Sequence, residues 1–223
     1  MHGFTCYLKK KPNIEYSLHG HNLNTVSKAK YLGVLLDSRL SFNQHINSTC
    51  QKANFVLSFL RRNLKRCHKK VKIDSYNLFV KPILNYAATV WSPYTQCYKN
   101  KLESIQRRAA RFVMSDYHRT SSVSAMINSL NWQSISRQHE ELRLIMFFKI
   151  VNKLVELPMP DYIISAPRLT RGNNMKFVQP SINVNPYKYS FFPRSISIWN
   201  KLPTCDCSLP HFKYMLKSMT LNN

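Results

Sequence analysis

The amino-acid sequence predicts a mostly α-helical chain with a small N-terminal antiparallel β piece, an α+β class, on three observations. Apolar residues recur at alternating steps of three and four between Ile46 and Val113, the period of a helix buried on one side. Short β-rich runs bounded by turn residues are confined to residues 4–36. Eight of the eleven prolines fall in residues 158–210, where they interrupt regular structure. With 223 residues, 44% of them hydrophobic, and with twelve Phe, twelve Tyr and three Trp, the chain can bury a core and is not of the composition that stays disordered.

Four segments follow: residues 1–37 as β structure, 38–120 as a basic helical bundle, 121–157 as core-packing helices, and 158–223 as an irregular extension with short helices. In the first, FTCYL, IEYSLHG, LNTV and AKYLGVLLD read as strands, with KKKPN and HGHN as turns. A piece of two or three strands is marginal alone, so a larger sheet with an N-terminal partner is expected.

Ser41 with Gln44 reads as a capping box, and Ile46, Cys50, Ala53, Leu57, Leu60 and Leu64 then mark a helix of about six turns. A second helix is expected from about Val71, with Tyr76, Phe79, Val80, Ile83, Leu84, Ala87 and Trp91 on one face and Ser92-Pro93 closing it. Pro82 removes a helical hydrogen bond and should bend or split it between Phe79 and Ile83. Leu102, Ile105, Ala109, Phe112 and Val113 form the stripe of a third helix. Ser122 is placed to cap a short helix, VSAMINSL, and ISRQHEELRLIMFFKIVNKLVELP reads as one helix that is apolar on nearly all sides over Leu142–Val155, with Trp132 beside it. Beyond it, RLTRGNN reads as an exposed loop. Pro193 in a first helical turn, and Phe212, Leu216 and Met219, suggest two short helices docked by aromatic anchors.

Charge is the strongest functional signal. The chain carries 33 Lys and Arg against 10 Asp and Glu, and residues 52–113 hold 14 of those cations against Asp74 and Glu103 alone, a surplus of +12. Solubility surfaces interleave both signs, whereas a one-sign helical face suits a polyanion. Arg61, Arg62, Lys65, Arg66, Lys69, Lys70, Arg107, Arg108 and Arg111 are the candidate phosphate contacts. Of the aromatics among them, Tyr76, Tyr86, Trp91, Tyr94 and Tyr98, most are expected in the core and a minority on bases or sugars.

Other chemistries lack their residues. Asp37, Asp74, Asp116, Asp161 and Asp206 are dispersed, and consecutive Glu140 and Glu141 project about 100° apart on a helix, so no two-metal carboxylate set is seen. Cys205-x-Cys207 with His211 falls short of a four-ligand zinc site, and neighbouring Cys67 and His68 have no orienting acid. Four dispersed glycines make no phosphate loop. The six scattered cysteines suggest reduced thiols, and no secretory leader is evident, so an intracellular location, nuclear or cytoplasmic, is expected.

Six blocks, in order, resemble the reverse transcriptases of jockey-like non-LTR retrotransposons in the region after the palm. They are AKYLGVLLDSRLSFNQHI, KANFVLSFLRRNL, VKPILNYAATVWSPY, LESIQRRAARFV, SSVSAMINSLNW and YKYSFFPRSISIWNKLP. The resemblance implies that Phe4–Asp37 ends a palm subdomain and that the helices from Ser41 form a thumb and its extension, gripping RNA or an RNA–DNA hybrid. It also implies that the paired catalytic aspartates lie upstream of Phe4. On this expectation the chain has no catalytic residue or metal site of its own; magnesium belongs to the full-length enzyme, and the palm and fingers of the same polyprotein are its partners. Three positions depart from the family pattern: His68 stands in place of a helix-opening proline, Asn85 in place of a Glu, and Ser92 in place of an Asp. The alternative expectation is a non-catalytic interaction fragment whose basic faces meet an acidic partner or the missing domains.

Overall fold

A computed structural model describes residues 17–22, 26–157, 159–161, 163–166, 176–179, 185–203 and 208–219. Among the described residues its strands form two small antiparallel hairpins, and Ser165 and Phe177 add an isolated antiparallel bridge. Strands β1 (Ser17–Leu18) and β2 (His21–Asn22) flank a turn at His19 and Gly20, so the HGHN expected as turn contributes its second half to a strand. The FTCYL strand and most of LNTV lie outside the described residues.

AKYLGVLLD, expected as one strand, is a hairpin of β3 (Lys28–Tyr31) and β4 (Val34–Asp37). Leu32 and Gly33 both have positive φ, 44° and 84°, which is the two-residue loop whose twist matches paired strands. Tyr86 Oη donates to Leu32 O at 2.8 Å, and the Tyr86 ring would lie 3.4 Å from a Cβ at Gly33. The tip is therefore held from the helical side.

The capping box at Ser41 does not form. Helix α1 (Asn43–Asn63) begins behind Phe42, which has left-handed backbone, because Ser41 is engaged by Asp37. The Ser41 hydroxyl donates to Asp37 Oδ2 at 2.6 Å, and the amides of Arg39 and Ser41 donate to Oδ1 at 2.9 and 3.0 Å. These bonds, the Ser41 hydroxyl foremost, hold the Asp37 carboxyl below its ordinary range. The stripe itself is as expected: Ile46, Cys50, Ala53, Leu57 and Leu60 are buried and Leu64 packs against them.

Helix α2 (Lys69–Ser75) leads into a π-helical turn (Tyr76–Val80) and α3 (Lys81–Asn85). Pro82 lacks an N–H, and the widened turn before it, closed by the Lys81 amide on Tyr76 O, accommodates the loss. The chain actually breaks later, at Tyr86–Ala87, where Ala87 has φ 51° and Trp91 Nε1 donates to Tyr86 O at 2.7 Å. The wider turn makes the buried positions Tyr76, Val80 and Leu84, and Phe79, expected inside, is 56% exposed. A last short helix, α4 (Ala88–Trp91), ends at Ser92 as expected.

Helix α5 (Gln96–Met114) buries Leu102, Ile105, Ala109, Phe112 and Val113, all five positions of its expected stripe. It lies beside α1 and runs in the same direction: Lys101 Nζ donates to Asn47 Oδ1 at 3.0 Å and Arg108 Nη1 to Asn54 Oδ1 at 2.9 Å, both 54 residues apart. Ser122 caps α6 (Val123–Ser129) by accepting from the Ala125 amide. Trp132 stacks on Tyr76, ring centroids 4.3 Å apart.

Helix α7 (Ile135–Val151), capped by Ser134, stops seven residues short of the expected span, and Leu154 and Leu157 beyond it are exposed. Its all-round apolar character has a structural cause, since it serves three clusters. Ile135 joins the core of α1 and α5; Leu144 and Phe148 meet Phe212 and Leu216; Phe147 meets Phe177 and Ile196. The last residues belong to α8 (Asn185–Lys188), α9 (Phe191–Trp199), with Pro193 in its first turn, and α10 (Leu209–Ser218). RLTRGNN lies outside the described residues. No described helix is long and apolar enough to cross a membrane.

Two predictions test this packing. Leu57→Ala should cost about 2–5 kcal/mol in urea denaturation, whereas Phe55→Ala on the exposed side of the same helix should change stability by about 0.5 kcal/mol or less. His139, wedged against Trp91 with Nε2 at 3.0 Å from Leu84 O, has its pKa pushed down to about 4, chiefly by burial. The folded state keeps it neutral to about pH 4 while the unfolded chain protonates near 6.5, so its contribution is complete above pH 6.5 and is lost as pH falls toward 4. Comparing stability across that window with His139→Gln should show a shallower acid loss in the variant, by about 3 kcal/mol at most.

Candidate nucleic-acid interface

The nine candidate cations begin with Arg61 and Arg62 in the last turn of α1, both exposed. Lys65 and Arg66 follow, exposed, in the connection, and Lys69 and Lys70 are exposed in the first turn of α2. Arg107 and Arg108 are exposed on α5, and Arg111 is half-buried. Their grouping follows from the parallel pairing of α1 and α5, which carries the ends of both helices to one end of the bundle.

There the chain after α5 gathers the cations. The Arg61 guanidinium lies 5.1 Å from the Tyr117 ring centroid, and Arg111 Nη1 donates to His118 O at 2.9 Å. Asp116 in the same turn is held charged below its usual range, mainly by hydrogen bonds from Ser121 and the His118 amide and less by Arg111. Arg108 joins Arg61 on the seam through Asn54, two helical turns before Arg61 on α1. Arg107, about 100° around the α5 axis from Arg108, has no bond to that seam, and so belongs to its flank.

The described ion pairs, Arg137 with Glu140 and Glu141 and Arg194 with Glu140, include none of the nine. Exposed cations without carboxylate partners keep their full field for an incoming anion. Lys72, in the same basic run, plays a different part: it is buried over the Phe112 ring, and its Nζ donates to Ser115 Oγ at 2.6 Å.

Several features escaped the sequence reading. Lys101, Asn47 and Asn54 line the seam, and their signal was the seven-residue step from 47 to 54 to 61 on α1, matched by 101 and 108 on α5. Phe55 and Phe59 stand exposed on α1 beside Lys52. Of the interleaved aromatics, Tyr76 and Trp91 are core; Tyr98 lies under Lys101; Tyr94 stacks on Tyr189 with centroids 4.4 Å apart; and Tyr86 is exposed, with its hydroxyl committed to Leu32.

Three curated proteins match parts of this chain. The probable RNA-directed DNA polymerase from transposon BS of Drosophila melanogaster is 32% identical over 99 residues, 43% of this chain and 11% of its own length. That from the X-element of the same species is 25% identical over 125 residues, 51% of this chain and 14% of its own. The RNA-directed DNA polymerase from mobile element jockey of Drosophila funebris is 32% identical over 115 residues, 48% and 12%. The chain resembles non-LTR retrotransposon RNA-directed DNA polymerases. It spans only a small part of the length of these polymerases, 11–14% in the matched stretches. No family model and no solved structure matches it.

Two of the three departures from the retrotransposon pattern have a side-chain role, and at the third, Ser92, the main-chain carbonyl is what is engaged. His68 caps α2, its Nδ1 accepting from the Lys70 amide at 3.4 Å, which substitutes for a proline as a helix opener. Asn85 donates to Gln138 Oε1 at 3.0 Å, and Ser92 O accepts from Arg194 at 3.3 Å. Among the described residues no three His, Cys, Asp or Glu side chains gather, and Asp37 has both oxygens committed to hydrogen bonds. Cys205 and Cys207 lie outside the described residues.

Lys72→Ala should cost about 1–3 kcal/mol in urea denaturation, because it empties a buried position over the Phe112 ring and removes the hydrogen bond to Ser115, while Lys70→Ala should leave the midpoint within about 0.5 kcal/mol of the parent.

Proposed function

We propose that this chain is a C-terminal part of a mobile-element RNA-directed DNA polymerase, and that it grips template–primer RNA or an RNA–DNA hybrid without itself catalysing synthesis. The observation that carries the reading is the run of exposed cations from Arg61 to Lys70, continued by exposed Arg108, none of them in an ion pair among the described residues. Their guanidinium and ammonium groups would neutralise successive phosphates and displace counterions, which sets affinity but carries no sequence preference. On this reading the paired aspartates and their magnesium belong to palm and fingers domains of the same polyprotein, and the protein works inside the cell.

A second reading has its own support. Phe55, 72% exposed, and Phe59 lie near an apolar hollow of about 560 Å³ lined by Gln51, Lys52, Phe55, Val56 and Ile83. Such a surface suits another protein domain, including the rest of the polymerase.

Filter binding of an RNA–DNA hybrid across salt concentrations separates the two. The plot of log affinity against log salt should be steep, and Arg61→Ala, Arg62→Ala and Lys65→Ala together should flatten its slope by about one unit per phosphate lost, up to ~3. An unchanged slope would remove these residues as contacts. If Phe55→Ser with Phe59→Ser left hybrid binding intact but abolished capture of the polymerase domains, the second surface would be a separate docking site.

A further inference from the structure

Along the outer side of α1, opposite its buried stripe, Lys52, Phe55, Phe59 and Arg62 follow one another at helical spacing, and all four are exposed. The two phenylalanines are 72% and 52% exposed. Among the described residues neither ring stacks on another ring or lies beneath a cation, whereas Tyr94, Tyr98 and Tyr117 each have such a partner. Two whole aromatic faces are thus left to solvent on the most basic part of the chain.

The charge around the rings points to their occupant. Helix α1 contains no Asp or Glu, and neither Lys52 nor Arg62 is in an ion pair among the described residues. A protein docked here would have to supply every acid itself, whereas a nucleic-acid strand carries a phosphate at each step. Phenylalanine has no polar atom, so it offers a strand only its ring face, which any base can stack on. In a duplex the neighbouring pairs already cover each base face, and in an unpaired strand they do not. From Lys52 to Arg62 the helix rises about 15 Å, the reach of a few nucleotides. Beside Phe55, the hollow lined by Gln51, Lys52, Phe55, Val56 and Ile83 gives a base seated on that ring an apolar floor with one cation at its edge.

We propose that the outer stripe of α1 binds unpaired nucleic acid, with bases stacked on Phe55 and Phe59 and the strand's phosphates on Lys52 and Arg62. The inference rests on the reading that the basic face holds nucleic acid, and adds to it a contact that only a single strand can make.

Fluorescence anisotropy on the full chain tests it, with an oligouridine of about ten nucleotides and a blunt-ended RNA–DNA hybrid as probes, each across salt concentrations. Phe55→Leu with Phe59→Leu keeps apolar bulk and removes the aromatic faces. It should weaken oligouridine binding by about tenfold with no change in salt slope, and leave hybrid affinity within about twofold. Lys52→Ala should lower the oligouridine slope by about 0.7, the share of one phosphate on a single strand. Phe55→Trp should keep the affinity and show more fluorescence quenching by oligouridine than the parent chain, because the new ring lies against a base. Unchanged oligouridine affinity in the double leucine variant would overturn the proposal, as would an equal loss for the hybrid. Intact oligouridine binding with lost capture of the polymerase domains would assign the stripe to a protein instead. The Arg61, Arg62 and Lys65 triple variant reads the other surface: an unchanged hybrid slope there, with the tenfold oligouridine loss here, would remove the hybrid grip and leave the single-strand stripe standing.

Discussion

The structure depends on the parallel apposition of α1 and α5. Each helix turns an apolar stripe to the common core, and small residues, Ala53 on one and Ala109 and Ala110 on the other, are buried along those faces. Polar side chains tie the outer seam at a constant offset of 54 residues, so the register is set from outside as well as inside. Two adjacent helices of about 30 Å running the same way require a connection that returns the full length, and α2 to α4 with the π turn make that return. The cations at the end of α1 and the last turn of α5 then share one end of the molecule. Reversing one helix would separate them by the length of the bundle.

The second organising element, α7, shows how polar groups are managed where three clusters meet. Arg143 is 1% exposed; it donates to Phe191 O at 3.3 Å and lies over that residue's ring, and burial, followed by the nearby Arg194 charge, pulls its pKa down to about 10. Arg194 reaches Ser92 O at 3.3 Å and Glu140 at 4.0 Å. These arginines join α7, the end of α4 and the first turn of α9, so basic residues here tie the chain to itself. Those on α1 and α5 face outward. Net charge alone does not distinguish the two uses.

Helical elements were legible where one face meets one core. The stripes of α1 and α5 were readable residue by residue, and so were the Ser122 cap and the stop at Ser92, because periodicity and capping are local. Misreadings arose where a distant group competed for a local one. Asp37 takes the Ser41 hydroxyl from the expected capping box, and Leu32 turns a hairpin whose tip is held by Tyr86. A π turn shifts Phe79 outward by adding a residue to one turn of an otherwise regular pattern. The candidate site was legible as a composition, a +12 segment, and not as a shape: Lys72 belongs to the same run and is buried.

Residue order by itself determined which segments are helical, which faces are apolar, and that lysine and arginine outnumber acids on them, since each of these depends on spacings of at most a few turns. Only the tertiary structure decided that α1 and α5 run side by side in one direction, that Arg143 and Lys72 go inside while Arg61 and Arg108 stay out, and that Phe55 and Phe59 stay exposed. Those outcomes depend on contacts between residues tens of positions apart, and no local pattern encodes which distant surface a side chain will meet.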